Sequence, residues 1–409
     1  MKIDKIDNLN KFFYFIFSIS LFFDLFFNID SAGSGGFIVD YNSTWPLVEN
    51  PLAYKANLDF KFPLHYYIAS LIYKIVNDKE IVRFVYCLLA IPIPYLFFLC
   101  LKVKFKKINL NNLFLFSLII FLLPSFRSAA VWPNTHITGI FFFLVALFYF
   151  LKWEKKNEFK KFNTEIILTI FFMSLTVYSR QIYAMIFFYF MIIFFRKLSI
   201  TLFLKTSLIV GLFALPGIIF VIFLPRILQV TFEFKLYNSL LVNSSIISFY
   251  LIPFFTIIYF FENKLNLYKG KIFALLTIIT FVLICTSFFD YNYLMGGGYF
   301  IKLSKILFNN FYIFYLTSII GFFLIYVLSK ESVENLMLNL IILLSISAFI
   351  IFVKYFEPMY IILLFLLFKT KLTNIFLKKN KYIYIYHLYF LIYLASAIVN
   401  NYYLFSKNI

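Results

Sequence analysis

The chain has 409 residues, 63% of them hydrophobic and only 13% charged, with a mean hydropathy of +0.91. A soluble protein of this length has no interior large enough to hide so much apolar surface, so part of its solvent is lipid. The formal net charge of +19 would point to nucleic acid in a soluble chain. Here Lys and Arg fall in short clusters between apolar runs and read as topology signals, so no nucleic-acid partner is expected.

A bilayer core needs about 20 apolar residues per helix. Apolar runs near 12–29, 84–101, 110–126, 137–151, 164–179, 181–195, 203–224, 246–261, 272–289, 306–328, 336–353, 357–368 and 382–404 predict an all-α, polytopic membrane protein with roughly 11 to 13 transmembrane helices. The first run lacks a small-residue cleavage site and is read as a retained anchor. The stretch 63–76 is too short to span and is expected along the outer face. With Lys2, Lys5 and Lys11 inside, the alternation puts about two thirds of the 37 Lys and Arg on the inner side, as the positive-inside rule requires. The expected location is therefore a cytoplasmic (inner) membrane of bacterial type, with the polar segments facing outward. No internal repeat suggests a two-fold transporter and no Gly-rich phosphate loop suggests a nucleotide-driven pump. Cys87, Cys100 and Cys285 all sit in apolar runs and read as small buried side chains rather than ligands or a disulfide framework.

The first outer loop, 30–83, is the longest polar segment and is expected to carry short interfacial helices. It holds Asp30, Asp40, Glu49 and Asp59. Asp30 falls where the first span meets the headgroups. A partly desolvated carboxylate there can accept a proton from an incoming hydroxyl. The run "AGSGG" after it adds backbone freedom. Downstream come "KFPLHYYIASLIYKI" (61–75), the acidic turn "NDKEIV" (77–82) and Arg83 opening the second span.

Taken in this order, the segments resemble the membrane-embedded GT-C glycosyltransferases, in the branch of protein mannosyltransferases and lipid A aminoarabinose transferases. The resemblance covers roughly residues 10–195. It rests on an acid just after the first span, a Lys-Pro-like helix start 33 positions later at Pro63, a Phe-rich amphipathic helix, a turn with an acid, and an Arg. Two departures stand out. Ser31 replaces the family's second acid, which leaves Asp40 as the rival base. Asn134 or Thr135 stands where the family's Arg-containing segment usually ends in Asp.

The resemblance implies a GT-C-like fold in a single membrane-embedded domain, 1–409. Residues 1–200 would form the catalytic module and 201–409 further helices with the lipid-donor and acceptor groove. It implies inverting transfer of a sugar from a polyprenyl-phosphate donor to a lipid, glycan or protein acceptor, with membrane lipids as the other partners. Asp30 or Asp40 would be the catalytic base. Arg83, Arg127, Arg180 and Lys61 would bind the donor phosphate, since a guanidinium fork holds phosphate in a bidentate manner and stays charged. His65, Tyr66, Asn134, His136 and Gln181 are possible substrate contacts. Whether a divalent metal takes part is left open, and no ligand set for one is legible. The Gly296–Gly297–Gly298 run is expected either as a mobile cover over a groove or simply as a turn. The alternatives are a lipid-linked oligosaccharide flippase or other transporter, or an O-antigen ligase or polymerase.

Overall fold

The computed structural model describes residues 6–32, 36–51, 62–156, 159, 162–223, 235–262, 272–293, 296–346 and 350–406. Among them there is no strand, only helices. By internal packing the chain falls into two compact units, Met1–Val230 with His387–Ile409, and Thr231–Tyr386.

In the first unit, α1 (Asn8–Phe26) ends at Asn28, whose φ of 53° lies in the left-handed region that Asn tolerates. The segment read as an outer loop contains two helices, α2 (Gly36–Glu49) and α3 (Leu64–Val76). α2 was not legible, because Pro46 lies inside it and its residues show no apolar stripe. The charged elbow after α3 is two helix ends back to back. Asn77 closes α3 with φ 50°, and Asp78 caps α4 (Lys79–Ala90), its Oδ1 accepting the Glu80 and Ile81 amides at 2.7 and 3.2 Å. α4 continues through Ile91 into α5 (Pro92–Lys104), and together they form one 26-residue apolar element.

The run 110–126 is not one helix. α6 (Leu110–Ser117) tightens into a 3-10 turn at Leu118–Leu122, and α7 (Pro124–Val131) departs at 67°. Pro124 opens α7 because a first-turn position needs no N–H. All eight residues of α7 are buried, Arg127 and Ser128 included. α8 (Thr135–Lys156), α9 (Thr164–Ser179), α10 (Tyr183–Lys197) and α11 (Ile200–Phe223) follow. α11 carries one charge, Lys205, and is otherwise mainly apolar, yet only 6% of its most apolar stretch is buried. Such a surface is stable only against lipid.

In the second unit, α12 (Leu236–Glu262) is the central element, with 89% of its apolar stretch covered. Around it lie α13 (Ile272–Thr286), α14 (Gly298–Phe308), α15 (Tyr312–Ser329) and α16 (Val333–Ser345). α17 (Met359–Leu366) lies within the expected span 357–368, and α18 (Lys371–Leu377) follows it at a 101° bend in the segment 369–381 read as an inner loop. The glycine run is no loose cover at 296–298. The Gly297 amide donates to Ile351 O at 2.9 Å, Gly297 and Gly298 have φ of 86° and 82°, and a side chain at Gly296 would collide with Ile351 O. α19 (Asn380–Ser406) closes the chain.

Seven of the described helices are long and apolar enough to cross a membrane, nine if each bent pair is one span. Three more, α9, α13 and α16, are apolar but shorter. The chain thus has the helices of a multi-pass membrane protein, with fewer full-length spans among the described residues than the 11 to 13 expected. The shortfall comes from apolar runs that proline and short turns break into pieces.

Candidate functional site

The turn after α1 is fastened by three other elements. Asp30 is fully buried. Its Oδ1 accepts from Ser128 Oγ of α7 at 2.7 Å and from the Ala32 amide at 3.2 Å, and its Oδ2 accepts from the Phe37 amide of α2 at 3.0 Å. The Ser128 hydroxyl lies 2.8 Å from the Ala32 amide, which it accepts while donating to Asp30. Hydrogen bonds of this kind fix the orientation of a carboxylate. Asn28 Oδ1 accepts from Arg83 Nη1 at 2.8 Å, and Trp132 Nε1 donates to Ile29 O at 3.2 Å.

Arg83, 2% exposed, donates Nε to Val131 O at 3.0 Å and Nη1 to Glu80 at 2.5 Å, and its guanidinium lies 3.7 Å above the Trp132 ring. Its Nη2 is buried and meets no acceptor among the described residues. Arg83 therefore stands beside the Asp30 turn, as the sequence reading required.

Arg127 does not take the predicted part. Its Nε donates to Asp24 Oδ2 at 2.7 Å, Nη1 to Ser20 Oγ and Phe121 O, and Nη2 to Ser20 O at 2.8 Å. Four of its five N–H donors are spent inside the protein, so it is a structural tie between α7 and α1 rather than a phosphate ligand. Asp24, which also accepts from Ser31 Oγ at 2.8 Å, is the residue that sequence reasoning missed. Its signal was present: a carboxylate inside an apolar span needs a partner.

Asp40, the rival base, is half-buried on α2, three residues beyond the amide that Asp30 holds. Tyr41 beside it donates to Lys79 O at 3.2 Å and packs on Trp132, and burial pushes its phenol well up. Lys61 lies outside the described residues. His65 and Tyr66 are buried on α3. His65 Nδ1 is 2.8 Å from Thr138 Oγ1 of α8, within a ring cluster with Tyr66 and Tyr86.

Asn134 caps α8 through its Oδ1, which accepts the His136 amide at 2.9 Å. The His136 ring packs on Phe37, 5.7 Å between centroids. Arg180 follows α9 and is buried, its Cβ 3.4 Å from where a side chain would stand at Gly139 of α8. Gln181 is half-buried, and its carbonyl accepts the Ala184 amide. A continuous run of contacts thus joins Asp30, Phe37, His136, α8 and Arg180.

Flanking Arg180 is an apolar groove of about 540 Å³ between α9, α10 and α11. Tyr178, Ala184, Phe187, Met191, Val210 and Gly217 are among its lining residues. Tyr178 and Ala184 bracket Arg180 in the chain, though Arg180 itself is not among the lining residues and its Cβ faces Gly139 of α8. The Tyr178 hydroxyl bonds both Phe213 O and the Gly217 amide of α11. These are the two groups that close an ordinary helical turn, beside Pro216, which has no N–H to give. The groove therefore uses helices on both sides of residue 200.

Among the described residues no three of His, Cys, Asp and Glu converge as a metal site. The three cysteines are free and buried. No protein-family model, no curated protein and no solved structure matches the chain.

Proposed function

We propose that this chain is an integral-membrane glycosyltransferase that moves a sugar, with inversion, from a polyprenyl-phosphate donor to an acceptor hydroxyl at the outer face of the membrane. The observation that carries the reading is the run of contacts from the buried carboxylate of Asp30 through Phe37, His136 and α8 to buried Arg180, whose chain neighbours Tyr178 and Ala184 line an apolar groove. A long prenyl tail fits an uncharged channel open to lipid, and its phosphate needs cations at one end.

In this mechanism Asp30 takes the proton of the acceptor hydroxyl as that oxygen attacks the anomeric carbon. The bond from that carbon to the phosphate oxygen breaks, and the prenyl phosphate leaves with the electron pair. Arg83 and Arg180 stabilise the departing charge in a site shielded from water. Arg127 has no part in the step. A leaving group of this kind needs no proton donor.

The test is reconstitution of the purified chain in liposomes with a radiolabelled polyprenyl-phosphate sugar and a mixed set of acceptors, without any ion gradient or nucleotide. Labelled product with release of prenyl phosphate supports transfer. Movement of intact donor between leaflets without bond cleavage would support the flippase reading instead.

A further inference from the structure

The junction between α7 and α8 carries three buried hydrogen-bond donors or donor-capable atoms that meet no partner among the described residues. Arg83 Nη2 belongs to a guanidinium fixed by Val131 O and by Trp132. Asn134 Nδ2 belongs to an amide whose other end is pinned to the His136 amide. His136 Nδ1 belongs to a ring held against Phe37. The three residues are 2%, 8% and 4% exposed. Leaving one such group unsatisfied costs about 1–3 kcal/mol, and buried polar atoms in native proteins are almost always paired. Three of them on residues 131–136 and on the arginine stacked there call for an occupant.

The position says what kind. These residues open α8, a 22-residue helix whose amide ends and dipole favour negative charge. Arg83 adds a full positive charge, and its neighbouring acid, Glu80, has a side chain 67% exposed that leaves the pair only partly neutralised. Asp30 lies on the other side of Phe37 and its oxygens accept from Ser128, Ala32 and Phe37. Donors without acceptors, a helix start and a cation together suit an acceptor-rich anion.

We infer that the start of α8, with Asn134, His136 and Arg83 as donors, is a seat for the phosphate group of a ligand. The seat rests on the glycosyltransferase reading only in making that phosphate the donor's, and the anion chemistry stands by itself. It narrows two residues from general substrate contacts to phosphate capture, and it takes the place that Arg127 leaves open.

The experiment is equilibrium binding to the full-length chain in detergent, with three probes: farnesyl phosphate, inorganic phosphate and farnesol. Farnesyl phosphate binding with weak farnesol binding is the expected pattern. Competition by inorganic phosphate reports how much of the affinity the anion alone supplies. Asn134→Asp keeps the helix cap and the shape but replaces the orphan N–H donor with a carboxylate oxygen. It should weaken farnesyl phosphate binding by about ten- to a hundred-fold and leave farnesol binding unchanged. His136→Phe should weaken it less, in the same direction. Thermal melting of each variant tells misfolding from loss of a ligand contact. Asn134→Asp protein that melts like the wild type and binds farnesyl phosphate equally well overturns the seat. If the wild type binds farnesyl phosphate and Asn134→Asp does not, yet no sugar is transferred, the seat stands and the enzymatic reading falls. If sugar is transferred while both variants bind and turn over normally, the seat falls and the enzymatic reading stands.

Discussion

Replacing Arg127 by Met should destabilise the first unit more than Asp24→Asn does. The Arg127–Asp24 pair is buried, each side chain 5% exposed, and the guanidinium also satisfies Ser20 O, Ser20 Oγ and Phe121 O. Met fills most of the space but leaves the Asp24 carboxylate with only the Ser31 hydroxyl among its hydrogen-bond donors, and two carbonyls with no side-chain donor. Breaking a buried pair on one side costs about 3–5 kcal/mol. Asp24→Asn keeps an acceptor oxygen for Arg127, so its cost is that of a weakened hydrogen bond, about 1–3 kcal/mol. Removing both charges with Asp24→Leu and Arg127→Met together should recover most of the loss, because no uncompensated charge then remains. Denaturant unfolding of the detergent-purified protein, followed by Trp fluorescence, measures all three. An Arg127→Met protein within about 1 kcal/mol of the wild type would refute the reasoning and return Arg127 to the pool of possible ligands.

Other expectations follow from single contacts. A methyl at Gly321 of α15 would land on the Ser244 carbonyl of α12; backbone cannot rotate away, so Gly321→Ala should cost about 1–3 kcal/mol or more, read as a lower melting temperature. Tyr178→Phe leaves Phe213 O and the Gly217 amide without their shared hydroxyl, which should cost about 1 kcal/mol and weaken farnesyl phosphate binding by loosening α11 against the groove. Burial holds the Lys302 ammonium below the usual lysine range. The buried cation therefore costs stability below its folded pKa, and the cost is relieved as pH rises from there to the unfolded value of 10.5. Lys302→Met should raise the melting temperature at neutral pH and flatten its rise toward alkaline pH.

The helices could be read from hydropathy because lipid demands long apolar runs. α9 was expected at 164–179 and stands there. The elbow at Asn77–Asp78 was legible because a left-handed cap followed by an Asx cap has a short-range chemical cause. The break at Leu123 was not, because a proline inside an apolar run changes direction without changing hydropathy. Within the site, Asp30 and Arg83 were singled out and do lie at one turn. The partner of Arg127 was out of reach. Asp24 is 103 positions away, and only the packing of α7 on α1 joins them. The orphan donors of Asn134 and His136 were equally hidden, since a missing partner is a property of three-dimensional packing.

The most direct test of Asp30 as the base compares sugar transfer by Asp30→Asn and by Ser128→Ala. Both lose a hydrogen bond at the same turn, through the Phe37 amide in the first and the Ser128 hydroxyl in the second, so their melting temperatures should fall by similar amounts. Only Asp30→Asn removes the proton acceptor. Labelled donor turned over in membranes carrying equal amounts of each protein should show Asp30→Asn slower than wild type by about 10²–10⁴-fold, with Ser128→Ala within about tenfold. Turnover by Asp30→Asn equal to that of Ser128→Ala would contradict the account.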